Sequence, residues 1–324
     1  MLYKTGIQTL KRGVNLLITI VGCGALGSLF AARMLESGVD VQALQRPGAH
    51  YEVLKEKGLT LLELEGEEKS FSFPVYDDID SCAPSDLVII LVKAFQTPHV
   101  APKLLPLLKE DGAILTLQNG LGNVEVLKEH VPLKKLFAGS VTYGAYRVAP
   151  GVVKAAGEGK IKFGPLDKMV SPEPVMDFLK QSGLNVELVD DPMRVLWEKV
   201  AINAMINPVV ALARCNNGKI LEVREALELC RVLFDEALEA ARCEGITLDE
   251  ESLWSFVMEV LEKTAANRPS MLQDLESGRR TENEAISGYI LKAAEKKGVE
   301  LPATKVVYSL MKLAEHAAIK DYVV

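Results

Sequence analysis

The residues best placed to do chemistry stand on one segment, Leu196–Ala213, which reads LWEKVAINAMINPVVALA. It is apolar on nearly every side, and Lys199, Asn203 and Asn207 interrupt it at steps of four. A helix turns about 100° per residue, so each step of four rotates only about 40° and the three side chains share one face. Burying a lysine and two amides without partners costs on the order of several kcal/mol. A solvated polar stripe would avoid that cost, but amides inside so apolar a helix suit the lining of a cleft better. Pro208 fixes the backbone immediately after Asn207 and can kink the helix there.

A second signature lies near the start of the chain. The apolar run Leu16–Val21 leads directly into Gly22, Cys23, Gly24, Ala25, Leu26 and Gly27, a complete G-x-G-x-x-G. Gly22 permits the tight turn, Gly24 lets a pyrophosphate approach the backbone, and Gly27 lets the next helix pack on the sheet. That helix, Ala25 to about Glu36, aims its free amides and positive dipole end at phosphates. With Val39–Leu44 as the next strand, the pattern predicts dinucleotide binding. An NAD-specific site usually carries a carboxylate after this second strand, to hold the ribose 2′-hydroxyl. Arg46 stands there instead, which suits a 2′-phosphate and favours NADP over NAD. Lys93 follows LVIILV, and Asn119 sits in Gln118-Asn119-Gly120-Leu121-Gly122. Both fall at the carboxyl edge of the expected sheet, where ligands bind, although an ordinary turn also explains Asn119.

Two further stretches bring polar residues toward a substrate. Ser270 followed by Gln273 is a capping box and predicts a helix start. Plain capping explains it, and so does the binding of a substrate carboxylate. Thr281 with Glu284 repeats the pattern, and Glu282 reads either as a first-turn charge or as a ligand contact.

These residues need a scaffold. Leu16–Val21, Val39–Leu44, Leu87–Val92, Ala113–Leu117 and Leu136–Val141 read as strands of a parallel sheet buried on both faces. Gly151–Ala156 and Lys160–Phe163, separated by Gly157-Glu158-Gly159, read as an antiparallel hairpin closing that unit. Past Asp190-Asp191-Pro192, long helical patterns take over. The expected fold class is α/β, an N-terminal Rossmann-type doubly wound parallel sheet followed by an all-helical C-terminal domain. The expected divisions are an N-terminal extension at 1–15, a dinucleotide-binding domain at 16–190 and a helical substrate-binding domain at 191–324.

Composition narrows the partners. The 324 residues, 48% hydrophobic and 25% charged, describe a soluble globular chain with room for two cores. A net charge of -7 argues against nucleic acid or an anionic membrane as partner, leaving a small molecule and at most a second copy of the chain. The five cysteines, Cys23, Cys82, Cys215, Cys230 and Cys243, form no C-x-x-C pair and no cluster with histidine. They read as buried structural thiols of a reducing cytoplasm, with no metal site expected. Lys11 and Arg12 before an apolar run ending in Cys23 imitate an export signal, but cleavage there would cut through the phosphate turn. No segment reaches about 18 uninterrupted apolar residues.

Taken in order, G-x-G-A-L-G, Lys93, Asn119-Gly120, Lys199–Asn203–Asn207-Pro208, Ser270-Met271-Leu272-Gln273-Asp274 and Thr281-Glu282 resemble the ketopantoate reductase (2-dehydropantoate 2-reductase) family. The similarity runs from about Leu16 to the C-terminus. The resemblance implies NADPH-dependent reduction of 2-dehydropantoate to pantoate, on the route to pantothenate and coenzyme A. By matched position it implies Lys199 as general acid and Glu282 as a substrate-binding carboxylate. Asn203, Asn207 and Ser270 would orient the substrate. Asn119 and Lys93 would serve the cofactor and the reacting centre, and Arg46 the 2′-phosphate. The family usually continues after Thr-Glu with an apolar residue, Asp and Tyr, then Asn before Gly. Here Asn283, Glu284, Ala285 and Ser287 precede Gly288.

Two other readings stay open on sequence. One is a related two-domain reductase of another small 2-keto or β-hydroxy acid. The other is an NADP-binding sensor without turnover, which would need no proton donor. Tyr51-x-x-x-Lys55 and Tyr308-x-x-x-Lys312 match a short-chain reductase motif, but neither lies where that chemistry would need it.

Overall fold

The computed structural model describes residues 16–319, so the expected extension at 1–15 lies outside the described residues. The first half alternates strands and helices: β1 (Leu17–Val21), α1 (Ala25–Glu36), β2 (Asp40–Leu44), α2 (Ala49–Lys57), β3 (Leu59–Leu62), β4 (Glu68–Phe71), β5 (Val75–Tyr76) and β6 (Ser85–Ile90). There follow α3 (Thr97–Val100), β7 (Leu108–Thr116), α4 (Asn123–Lys128), β8 (Leu136–Val141), β9 (Gly144–Ala149), β10 (Val152–Gly157), β11 (Ile161–Pro165), α5 (Glu173–Gln181) and β12 (Val186–Leu188). The remainder is helical: α6 (Pro192–Ala213), α7 (Lys219–Glu222), α8 (Arg224–Cys243), α9 (Glu250–Lys263), α10 (Ser270–Glu276), a π turn at Glu284–Gly288, α11 (Tyr289–Glu295) and α12 (Pro302–Ala318).

Among the described residues the main sheet has eight strands in the order β12-β11-β8-β7-β6-β1-β2-β5. Every neighbouring pair is parallel except β11–β8. The chain steps from β1 to β2 and later β5 on one side, then crosses back to β6 on the other, so the strand order reverses between β1 and β6. That reversal opens a crevice beyond the strands' carboxyl ends. As expected for a sheet covered on both faces, β1 and β6 bury nearly every residue.

The expected hairpin does not form. β10 pairs antiparallel with β9 and parallel with β3, in a second sheet of order β4-β3-β10-β9. β11 belongs to the main sheet, between β8 and β12. The glycine-rich Gly157-Glu158-Gly159 is a crossing between sheets. A Cβ on Gly159 would lie 2.2 Å from the Tyr143 backbone nitrogen, so the two chain segments touch there. α1 is packed into the core between the sheets: Leu29 and Phe30 share one buried cluster with Ile18 and Ile20 of β1, Leu61 of β3 and Val153 of β10.

α6 is the spine of the helical half. Asp191 caps it by accepting the Arg194 amide at 3.1 Å, and it runs unbroken through Pro208. Trp197, Val200, Ala204 and Met205 pack with Phe234 and Ala237 of α8, and the same cluster reaches Ala138 of β8. Among the described residues α6 is also the one helix long and apolar enough to cross a membrane, with a mean hydropathy of 1.3. Of that window 61% is buried inside the protein, which is how a core helix behaves. The cysteines are all free, but only Cys23 and Cys230 are buried, so the uniform burial expected of the five is corrected.

The glycine turn gives a direct test of the fold. A Cβ on Gly27 would meet the Gly22 carbonyl oxygen at 2.3 Å, whereas one on Gly24 meets nothing within 4 Å. Gly27→Ala should therefore lower stability by about 2 kcal/mol in urea unfolding. Gly24→Ala should stay within about 0.5 kcal/mol of the unaltered chain. Equal stability of the two variants would contradict this packing.

Candidate active site

The crevice edge is built from strand ends. Gly22, at φ 103, turns the chain out of β1 and directs α1 away from it. α1 begins at Gly24 with no side-chain cap and no acidic residue in its first turn, leaving its amides free for an anion. Cys23 in this turn is buried, and burial pushes its thiol up to about 11, so it is a packing group and not a nucleophile. Beneath the turn, His50 Nε2 lies 2.9 Å from the Cys23 carbonyl, and His50 Nδ1 accepts the Gly151 amide at 2.9 Å. Arg46 is exposed just beyond β2 and has no ion pair among the described residues.

The loop after β7 is braced by amides. Gln118 donates to the Val92 carbonyl at 2.9 Å and to the Thr97 hydroxyl at 2.8 Å, and Thr97 donates to Asn123 at 2.8 Å. Gly120, at φ 82, presses on the π turn so closely that a Cβ would lie 2.6 Å from the Ala285 Cβ. The Leu121 amide donates to the Ala285 carbonyl at 2.8 Å. These contacts dock the sheet's edge onto the helical half and present Asn119 to Glu282, whose carboxylate accepts the Asn119 amide at 3.3 Å.

Lys93 crosses the crevice. Its ammonium lies 2.8 Å from Asp274 and 3.3 Å from Glu282, whose side chains are only 6% and 7% exposed. Burial works against the Lys93 charge, but the Glu282 and Asp274 carboxylates outweigh it and hold its pKa above the ordinary lysine value. Arg279 closes the chain of charges with a 3.0 Å bond to Asp274.

Lys199 reaches the same place from α6. Its ammonium donates to the Val141 carbonyl, at the end of β8, at 2.9 Å. Burial lowers its pKa to about 8, and the nearby Glu282 charge partly opposes that fall. Asn203 is half-buried and Asn207 buried further along the helix. Beside Glu282, Phe95, Arg280 and Ala285 help to line a cavity of about 240 Å³.

Neither expected capping box forms. Ser270 is the first residue of α10 after Pro269 and makes no cap bond, and Gln273 donates to the Arg268 carbonyl instead. Pro269 supplies the extended backbone that precedes the helix, so no side-chain cap is needed to start it. The Thr281 hydroxyl bonds to Glu315 and accepts the Asn283 amide at 3.1 Å, while Glu284 turns to Lys292 and Tyr308.

Comparison with known proteins then decides the family. Residues 18–168 match the family Ketopantoate reductase PanE/ApbA, and residues 191–315 match its C-terminal counterpart. The chain belongs to the ketopantoate reductase family. It is 36% identical to a 2-dehydropantoate 2-reductase of Archaeoglobus fulgidus, over 92% of this chain and 97% of that one. A Halobacterium salinarum 2-dehydropantoate 2-reductase is 33% identical, over 92% of this chain and 98% of that one. Among solved structures, the 2-dehydropantoate 2-reductase of Geobacter metallireducens superimposes with a TM-score of 0.83 at 30% identity, covering 92% of this chain and 100% of that one. D-mandelate dehydrogenase with NADH and anilino(oxo)acetate superimposes at 0.88 with 26% identity, covering 94% of this chain and 100% of that one. As a member of this family the chain is an oxidoreductase.

The structure thus brings Lys93, Asn119, Lys199 and Glu282 together at one crevice of this ketopantoate reductase fold. Asp274, Arg279 and the Gln118 brace were not singled out from sequence as site residues. Asp274 ends the Ser270–Asp274 motif that carries the family resemblance, and Gln118 directly precedes the Asn119-Gly120 of another; that adjacency is the available signal. In the ketopantoate reductase fold, Glu282 should tune Lys199 through charge. The Lys199 amine should titrate near pH 8 by lysine-selective NMR, and its midpoint should fall further in Glu282→Gln. An unchanged midpoint would break the coupling.

Proposed function

We propose that this chain reduces 2-dehydropantoate to pantoate with NADPH, in pantothenate and coenzyme A synthesis in the cytoplasm. The observation that carries the reading is the Lys199 amine, its pKa lowered to about 8 by burial, held beside Glu282 at the mouth of a dinucleotide-type crevice. The sheet domain, to about residue 190, holds the cofactor, and the helical domain supplies the substrate side. The residues of the glycine turn fit the cofactor. The uncapped start of α1 offers amides to its phosphates, and the space at Gly24 is open. Gly22, Cys23, Gly24, Ala25, Leu26 and Gly27 surround the pyrophosphate, and Arg46 takes the 2′-phosphate that separates NADPH from NADH. When bound, the nicotinamide supplies the hydride.

Reduction turns a carbonyl into an alcohol, so negative charge grows on the oxygen. Lys199 donates a proton to that oxygen, which stabilises the transition state more than the ground state. A free lysine, near 10.4, holds its proton too tightly for ready transfer at neutral pH. Burial brings Lys199 within reach while keeping it mostly protonated at pH 7. Glu282, steadied by Lys93 and Asn119, binds the substrate's hydroxyl side and keeps Lys199 charged. Asn203, Asn207 and Ser270 orient the rest of the substrate, and Lys93 with Asn119 positions the cofactor against it.

A second reading keeps the machinery and changes the acid. Ala285 helps to line the cavity beside Glu282, and it stands where the family pattern has a larger residue. A bulkier 2-oxo acid would fill that space. NADPH oxidation measured with a panel of 2-oxo acids decides between them, with 2-dehydropantoate expected to have the highest kcat/KM. Activity should fall as pH rises through about 8, where Lys199 loses its proton. Lys199→Ala should lose about two to four orders of magnitude in turnover while still binding NADPH. Undiminished turnover in that variant would remove the proton-donor role.

A further inference from the structure

The second sheet has no evident part in the reaction, yet one of its residues is carried to the phosphate turn. In the β9–β10 pair, Arg147 stands opposite Val153, and Ala145 opposite Ala155. Opposed residues of an antiparallel pair share a face, and Val153 and Ala155 are buried in the cluster that contains α1. Arg147 therefore belongs to the α1-facing row, in series with Ala145 and Tyr143. Tyr143 packs edge-on against Phe30, midway along α1, with ring centroids 5.5 Å apart. At the other end, the turn after β9 is tied by the Gly151 amide to His50, and His50 to the Cys23 carbonyl. The strand thus runs toward the start of α1. Four strand residues from Tyr143 to Arg147 advance about 13 Å. Six helix residues from Phe30 back to Gly24 cover only about 9 Å. Arg147 overshoots the helix and is exposed, while its row-mates Tyr143 and Ala145 are half-buried.

The charge acting most on it is of like sign. Arg147 has no ion pair among the described residues. Partial desolvation of its guanidinium and then the Arg279 charge lower its pKa, and its own charge contributes to lowering that of His50. Arg279 comes from the helical half, where it bonds Asp274 at 3.0 Å, and its charge still acts on Arg147 across the crevice. An anion between them would remove that repulsion.

We propose that Arg147 is a cofactor-binding residue, closing on the pyrophosphate of the dinucleotide from the second sheet, opposite the α1 amides. This rests on the cofactor reading above and adds a group that reads phosphate irrespective of the 2′ position. It also gives the second sheet a task, because His50 locks the Arg147 hairpin to the glycine turn.

Calorimetric titration of the full chain with NADPH, NADH, ADP-ribose and adenosine 2′-monophosphate tests this without turnover. Arg147→Ala, and Arg147→Met with its stem retained, should weaken NADPH, NADH and ADP-ribose alike, by about tenfold or more. Adenosine 2′-monophosphate, which lacks a pyrophosphate, should bind as before, and Arg147→Lys should recover part of the loss. Arg46→Ala should show the reverse selectivity, weakening NADPH and adenosine 2′-monophosphate while sparing NADH and ADP-ribose. Unaltered ADP-ribose binding in both Arg147→Ala and Arg147→Met would overturn the proposal, even if KM for the oxo acid rose. An unsubstituted chain that binds neither NADPH nor ADP-ribose would overturn the cofactor reading and this inference together.

Discussion

An ammonium group carried on the one helix among the described residues apolar enough to cross a membrane is the constraint around which the site is arranged. α6 must be buried to anchor the helical half, so Lys199 is drawn toward a place where its charge is costly. Two contacts make that tolerable: the Val141 carbonyl, which accepts its proton at 2.9 Å, and the Glu282 charge nearby. The same burial that costs stability gives the amine an acidity suited to proton transfer, a conflict characteristic of functional sites.

The remaining charges set the two halves in register around that amine. Lys93 arises from the sheet, whereas Asp274 and Glu282 arise from the helical half, and their bonds span the crevice. Both carboxylates are nearly buried, so removing the lysine would leave Asp274 to Arg279 alone and Glu282 to the Asn119 amide and the Lys199 charge, a larger loss than a surface ion pair represents. The Gln118–Thr97–Asn123 brace and the close contact of Gly120 with Ala285 hold the loop that presents Asn119. On the cofactor side the logic is reversed. The start of α1 is left uncapped and has no acidic residue in its first turn, which prepares the edge for an anion.

Local patterns were legible in the sequence, and partnerships across the chain were not. The glycine turn, α1 over Ala25–Glu36 and β8 over Leu136–Val141 follow from short-range spacing and came out where expected. The second sheet was hidden because β3 and β4 are four residues each, and β4, Glu68–Phe71, alternates exposed and half-buried positions without an apolar run. The hairpin expectation failed because glycines that permit a turn equally permit a crossing between sheets. Ser270 and Gln273 matched a capping box by type, but Pro269 occupied the cap position and set its backbone. Lys199 was visible as a misfit in an apolar helix. Its partner carbonyl at Val141, and the Lys93–Asp274 bond across 181 residues, depend on tertiary contacts that no local spacing encodes.

In the proposed reaction the Lys199 amine meets the reacting carbon's oxygen inside the crevice. A crystal structure of the chain with NADP and pantoate measures this directly. Lys199 Nζ is expected within about 3.2 Å of the pantoate C2 hydroxyl, with the C2 carbon facing the nicotinamide. A ternary complex in which that amine stays on the Val141 carbonyl or turns to solvent, with another group on the hydroxyl, would contradict it.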